Sequence, residues 1–253
     1  MAYQPTTVTW AHPWAPKLFS FRVTRPEGFN FRNGEFVTLG LRGDGGPFTP
    51  RAYSIVSTND EPELEFLSIH VPDGPLTSRL VNIKPGDTVH VNTKATGSLT
   101  ASHVTGDRTC YLLATGTGLA PFMSLARADD LYQRFEHVVL VHSVRHVDEL
   151  AYRESLEALQ SLRPFTYVPT VTREPFVSNR RGAEWFLSGA LNEERGWPQP
   201  DASRDAVLIC GNPEMTDQTR DALLARGWHM TNHAGVGAFS VEIAFVLHHR
   251  DAA

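Results

Sequence analysis

Between Ser102 and Asp107 the chain changes periodicity, and that change limits what its two halves can form. Before it, short segments alternate apolar and polar residues in strand fashion: Lys17–Val23, Glu35–Leu41, Glu63–Val71 and Asp87–Val91, all rich in β-branched or aromatic residues. Turn signals separate them, at Arg32-Asn-Gly, Gly43-Asp-Gly-Gly-Pro, Pro72-Asp-Gly-Pro and Lys84-Pro-Gly-Asp. Short strands punctuated in this way predict an all-β barrel or sandwich. After the change, strands alternate with helices. Cys110–Ala114 reads as a buried strand, and a glycine turn leads into an apolar-faced helical segment, Pro121–Leu131. A strand at His137–Val144 precedes a helix over Asp148–Leu162, with Tyr152, Leu156 and Leu159 on one face. Strands at Thr166–Thr172 and Ala206–Cys210 precede a last helix, marked by Asn212 as N-cap, Pro213 as first residue and Gly227 beyond its end. Such alternation implies a parallel sheet covered by helices. The expectation is a two-domain β + α/β chain: an N-terminal antiparallel β-barrel over 1–104, then a helix-flanked parallel sheet over 105–253.

At roughly 150 residues per domain, 253 residues suit this division. With 41% hydrophobic and 20% charged residues the chain can bury a sizeable core. A net charge of −5 argues against a nucleic-acid-binding surface. The two cysteines, Cys110 and Cys210, lie in strand-like runs without Cys-x-x-Cys spacing, too few thiolates for a zinc site or an iron–sulfur cluster. No metal site is expected. No segment reaches the roughly 20 apolar residues of a membrane span, and the start lacks the basic and apolar pattern of a signal peptide. The expected location is the cytoplasm.

The segment Ala114-Thr-Gly-Thr-Gly-Leu-Ala-Pro121 stands between a strand and a helix. Gly116 and Gly118, on either side of Thr117, let backbone N–H groups approach a diphosphate at a helix N-terminus; Pro121 takes the place of the usual third glycine. A glycine turn serving only strand–helix packing is the alternative. The loop makes the second half Rossmann-like. Where a dinucleotide enzyme that prefers NAD often carries a carboxylate, the chain has Arg145, a residue suited to a 2′-phosphate. Asp148 and Glu149 read as helix-cap carboxylates. Arg173 and Arg181 could complete a basic cluster. In the first half, Arg51-Ala52-Tyr53-Ser54 offers a cation, an aromatic ring and a hydroxyl, with strand alternation placing Ser54 opposite Arg51 and Tyr53 unless the strand bends.

Taken together these residues resemble the ferredoxin–NADP reductase superfamily, in particular its bacterial ferredoxin/flavodoxin–NADP⁺ reductases. Arg51–Ser54 resembles the family's flavin motif. Val71-Pro-Asp-Gly-Pro-Leu-Thr-Ser-Arg-Leu80 resembles its second flavin segment, with His70 in place of a commoner lysine, and Lys94–Leu99 resembles the segment that closes the flavin site. Ala114–Pro121 matches the NADP diphosphate loop, and Thr172-Arg-Glu-Pro175, Cys210–Met215 and Val241–Val246 are similar to later family signatures.

The resemblance implies a role for each motif. Arg51 pairs with a flavin phosphate, Tyr53 stacks on the isoalloxazine, and Ser54 hydrogen-bonds near its N5. Ala52, His70, Val71, Leu76, Thr77 and Ser78 complete the FAD contacts. Gly116, Thr117, Gly118, Thr172 and Gly211 meet NADP(H), and Arg145, Arg173 and Arg181 hold its 2′-phosphate. Whether Arg180 or Arg181 serves stays open, because the family's Gly-Arg is here Arg180-Arg181-Gly182. Cys210 lies beside the nicotinamide, and Glu242 near the flavin–nicotinamide junction. Ala244 stands where plant-type members have a flavin-covering aromatic, and Phe245 opens a tail, 245–253, that returns to the flavin.

The activity implied is hydride transfer from NADPH to FAD, then single-electron transfer to ferredoxin or flavodoxin, or the reverse. The lack of cluster cysteines makes that acceptor a separate protein, and a monomer is expected. The rival readings are an NADH-dependent reductase component of an oxygenase and a flavin-binding regulatory subunit without turnover.

Overall fold

Residues 2–42, 48–232 and 234–244 are described by the structure, a computed structural model. The Gly43–Pro47 turn signal, the tail 245–253 and Phe245 within it lie outside the described residues. Six antiparallel strands form the first half: β1 (Tyr3–Ala15), β2 (Leu18–Thr24), β3 (Phe36–Gly40), β4 (Arg51–Ser54), β5 (Glu63–Ile69) and β6 (Thr88–Asn92). Their order is β4-β3-β6-β1-β2-β5. An Ile55–Phe66 bridge joins the two outer strands, and the Val56 amide donates to the Glu65 carbonyl at 2.8 Å. Closure removes the open edges that a flat sheet would expose. The interior is filled by Phe21, Val37, Leu39, Ile55 and Phe66, all fully buried.

β1 had no counterpart among the sequence expectations. It carries Pro5 and Pro13, which blur its alternation. It also changes partner midway: Tyr3–Thr7 pair with β6, and Val8–Ala15 with β2, with register shifts at Val8/Trp10 and Pro13/Ala15.

The second half is a parallel sheet of β7 (Thr109–Thr115), β8 (His137–Val144), β9 (Phe165–Val171), β10 (Ala206–Gly211) and β11 (Phe239–Ile243), ordered β11-β10-β7-β8-β9. Its helices are α2 (Ala120–Arg127), α3 (Arg153–Leu159), α4 (Gly182–Leu187), α5 (Ala190–Arg195) and α6 (Pro213–Ala225); a short α1 (Thr77–Leu80) belongs to the barrel. The two halves share apolar packing, for Leu18, Val56 and Leu67 of the barrel join one cluster with Leu119, Phe122 and Met123.

α6 starts as expected, with the Asn212 side chain accepting from the Met215 amide at 3.0 Å. The helix expected over Asp148–Leu162 is broken. A single turn at Val147–Glu149 is capped by Glu149, which accepts from the Arg145 and His146 amides at 2.8 and 3.0 Å. Tyr152 then adopts φ +59°, and α3 begins after it. A left-handed conformation costs a bulky residue about 1–3 kcal/mol, so something must hold it. The Tyr152 side chain packs on the cluster that holds Leu156 and Leu159 from outside the helix, and its hydroxyl reaches the barrel.

Candidate functional site

In the parallel sheet the chain leaves β7 toward β8 on one side, whereas β10 and β11 lie on the other. The ends of β7 and β10 therefore diverge into a crevice, the place where open α/β sheets bind ligands. Thr115 Oγ1 ties its two lips together, accepting from the Asn212 amide and Nδ2 at 2.9 and 3.1 Å. Gly118 lies under the Cys210 carbonyl so closely that a Cβ there would overlap it. That contact explains the second glycine of the loop, and Gly116, at φ +51°, explains the first.

A cavity of about 650 Å³ opens between this crevice and the barrel. On the barrel side all four residues Arg51–Ser54 line it, Ser54 included. Strand alternation had set Ser54 apart. β4 is only four residues long, and just beyond it Ile55 bridges to Phe66. Tyr53 is buried, with its hydroxyl 3.1 Å from Ser68 Oγ. Burial, acting against the Ser68 hydrogen bond, pushes its phenol up to about 12, so the ring stays neutral. Arg51 is exposed, and its one hydrogen bond among the described residues goes to the neighbouring Pro50 carbonyl.

The loop before α1 folds on itself. Thr77 Oγ1 donates to the Val71 carbonyl at 3.1 Å, and Ser78 Oγ donates to the Gly74 carbonyl at 2.7 Å. Val71, Leu76 and Thr77 line the cavity; Ser78 and His70 do not. The His70 amide instead donates to the Lys17 carbonyl at 2.7 Å.

The α/β half contributes Thr117, Cys210, Glu242 and Ala244 to the same cavity. Cys210 and Glu242 are register partners in the β10–β11 pair, and the Ala244 amide donates to the Gly211 carbonyl at 2.9 Å. Burial, reinforced by Glu242, pushes the Cys210 thiol well above its ordinary range, so it stays protonated. Glu242 Oε1 accepts from the Ser98 amide at 2.5 Å and from Ser98 Oγ at 3.2 Å. Burial raises its carboxyl despite those bonds.

Arg145 and Arg173 stand side by side at the ends of β8 and β9, the Arg173 amide donating to the Arg145 carbonyl at 3.0 Å. Both are exposed, without an ion-pair partner among the described residues. Thr172 Oγ1 donates to the Val144 carbonyl at 3.2 Å. Arg180 is engaged elsewhere, paired with Glu194 and lying over the Trp185 ring at 4.9 Å. Arg181 stands between Glu184 and Glu214, at 3.4 and 3.8 Å, and so faces the start of α6.

Sequence reasoning passed over Phe36, Leu67, Ser68 and Ile69, which also line the cavity, as do Ala120 and Ile243 of the motifs at Ala114–Pro121 and Val241–Val246. Nothing distinguishes such wall residues from ordinary strand or helix residues until the tertiary structure is known. It also passed over His142, fully buried, whose Nε2 lies 3.2 Å from the Gly116 carbonyl.

Comparison with known proteins gives concordant matches. Residues 13–99 match the oxidoreductase FAD-binding domain family, and residues 112–221 the oxidoreductase NAD-binding domain family. A ferredoxin–NADP reductase of Azotobacter vinelandii is 44% identical over 93% of this chain and 95% of its own. A flavodoxin/ferredoxin–NADP reductase of Rhodobacter capsulatus is 40% identical over 95% of this chain and 92% of its own. A ferredoxin NADP⁺ reductase from Neisseria gonorrhoeae, solved with bound FAD and NADP, superposes with a TM-score of 0.88 at 32% identity, covering 96% of this chain and 99% of that one.

Proposed function

The chain belongs to the ferredoxin–NADP reductase family, and from that premise we propose how its own residues divide the work. It is an oxidoreductase that uses FAD and NADP(H) to move electrons between NADPH and ferredoxin. When bound, FAD supplies the conversion between a hydride and single electrons. The cavity suits that group: it is large, walled by Tyr53, Leu67 and Leu76, and edged by the exposed Arg51.

In this assignment Arg51 meets a flavin phosphate, and neutral Tyr53 packs against the ring system. The Ser54 hydroxyl offers a hydrogen bond at the reacting edge. Val71, Leu76 and Thr77 wall the diphosphate end, with His70 and Ser78 in the segment that carries them, and Ala52 lies on the wall between Arg51 and Tyr53. Gly116, Thr117, Gly118 and Gly211 let NADP(H) approach the sheet closely, Thr172 borders the same site, and Arg145, Arg173 and Arg181 hold the 2′-phosphate, Arg181 facing the start of α6 while Arg180 turns to Glu194. Cys210, uncharged and buried, acts as a spacer that sets the distance across which the hydride moves. Glu242, its carboxyl raised by burial and accepting from Ser98, stands at the junction as the group able to exchange a proton there. Ala244, being small, leaves that face uncovered among the described residues.

The domains divide at residues 104 and 105. This boundary falls in the connection between β6, which ends at Asn92, and β7, which begins at Thr109, and Arg134 of the second half holds that connection by donating to the Ala101 and Val104 carbonyls, at 2.5 and 2.7 Å. Flavodoxin serves as an acceptor besides ferredoxin, as the name of the Rhodobacter capsulatus relative suggests. The protein works as a monomer in the cytoplasm; no helix among the described residues is long and apolar enough to cross a membrane. The observation that carries the reading is that one cavity gathers Arg51–Ser54 from the barrel with Thr117, Cys210 and Glu242 from the parallel sheet. Anaerobic titration of the purified, FAD-loaded protein tests it. The flavin absorbance bleaches at far lower NADPH than NADH; equal bleaching by both overturns the assignment of the arginines.

A further inference from the structure

Among the described residues Tyr152 is the one non-glycine residue with positive φ, and its side chain leaves the nucleotide-binding half to end inside the barrel's hydrogen bonding. Its hydroxyl lies 2.6 Å from Glu65 Oε1 and 2.5 Å from Ser20 Oγ. Trp14 Nε1 donates to Ser20 Oγ at 2.8 Å, and its ring packs on the Tyr152 ring at 4.7 Å. Arg22 Nε donates to Glu65 Oε2 at 3.0 Å. Every proton in the chain is placed: Trp14 donates to Ser20, Ser20 to Tyr152, and Tyr152 to Glu65, whose second oxygen takes Arg22. Burial, with the Glu65 charge beside it, pushes the Tyr152 phenol well above its ordinary range, so it remains a donor.

The barrel strands it grips are the ones that wall the cavity. Ser20 opposes Leu67 in the β2–β5 register, Leu18 opposes Ile69, and both Leu67 and Ile69 line the cavity. Glu65 lies two residues before Leu67, on the same face of β5. Other contacts also cross between the halves, such as Asn33 with Asp130 at 2.7 Å and Arg127 with the Val56 carbonyl at 2.6 Å. Those are anchored in or just after α2, by residues in ordinary backbone conformations. A strained backbone persists where its surroundings hold it from both ends, and such strain gathers at functional positions.

We propose that Tyr152 is a positioning residue for hydride transfer, its hydroxyl fastening the nucleotide-binding half to the flavin-side strands at a fixed separation. The inference rests on the function assigned above. The barrel supplies Arg51–Ser54 to the cavity and the other half supplies Thr117, Cys210 and Glu242, so any rotation between them changes the donor–acceptor distance. A misplacement of about 1 Å can slow an aligned transfer by as much as ~10²-fold.

The test is anaerobic stopped-flow reduction of FAD-loaded Tyr152→Phe by NADPH, with reoxidation of the dithionite-reduced protein by ferricyanide measured in parallel. The limiting rate of flavin bleaching falls about tenfold, while the half-saturating NADPH concentration and the ferricyanide rate stay at wild-type values. Glu65→Gln, which keeps an acceptor oxygen for Tyr152, stays within about twofold of wild type, and Glu65→Leu reproduces the tenfold loss. These two variants carry the test if Tyr152→Phe does not fold. A wild-type limiting rate in Tyr152→Phe overturns the inference, as does an equal slowing of the NADPH and ferricyanide steps. Failure of the wild-type protein itself to bleach with NADPH is a different result, and overturns the underlying function instead.

Discussion

His142 carries a pH dependence that can be worked out from its surroundings. It sits at zero exposure in β8, with Nε2 against the Gly116 carbonyl and Nδ1 3.4 Å from the Tyr167 hydroxyl. Burial lowers its pKa from 6.5 to about 4, the Gly116 bond recovering only part of the loss. The native state therefore holds His142 neutral between those values, while the unfolded chain takes up a proton there. Stability is intact above pH 6.5 and falls as pH drops toward 4, because the unfolded state binds more protons in that window. A shift of roughly two and a half units corresponds to about 3 kcal/mol, most of it lost by pH 4.5. The perturbation is His142→Gln, whose amide can still donate to Gly116 but does not titrate. Urea unfolding of both proteins at pH 7 and pH 4.5 isolates the contribution, since the other groups are common to both. The stability gap between wild type and variant moves by about 2–3 kcal/mol in the variant's favour on acidification. An identical loss in both proteins would refute the buried neutral imidazole.

Three further outcomes follow from the same geometry. Arg145→Glu raises the KM for NADPH by about 10–100-fold, the worth of a charge-assisted phosphate bond, and leaves the KM for NADH nearly unchanged in steady-state assays. Gly118→Ala forces a methyl into the Cys210 carbonyl; overpacking of this kind costs about 1–3 kcal/mol in thermal unfolding, and NADPH reduction slows with it. Asp205 is fully buried and accepts from Arg108 Nε, the Thr109 amide and the Asp201 amide at 2.9, 3.0 and 2.9 Å. Asp205→Ala therefore destabilises by about 3–5 kcal/mol, read from urea midpoints at pH 7.

What could be read from the residues divides along physical lines. Gly116, Gly118, Asn212 and Pro213 were legible because a positive φ, a close approach or a cap each demands one residue type at one place. Arg51–Ser54 reached its assignment through resemblance, and alternation left Ser54 on the wall only if the strand bends, as a four-residue strand next to a barrel closure does. β1 was hidden by its prolines and its change of partner. Tyr152 sat at a spacing that fits a helix, whereas its hydroxyl bonds to Ser20 and Glu65, which lie far off in sequence and leave no local signal. The pairing of Cys210 with Glu242 depends on the β10–β11 register, which joins residues 32 positions apart and leaves no local trace.

The barrel's strand order has a consequence for how the chain acquires its structure. β6 is the last barrel strand in sequence, yet it lies between β3 and β1. Before residues 88–92 are in place, β1, β2 and β5 can form a three-stranded meander and β3 with β4 a hairpin, each with an unsatisfied border. Those borders are the kind of strand edge on which chains associate wrongly. Insertion of β6 seals both at once and joins Tyr3 to Asn92 across nearly the whole domain. Such a late, long-range closure is slow relative to local helix pairing. The rate at which β6 finds its slot thus sets how long a nascent or refolding barrel stays adhesive.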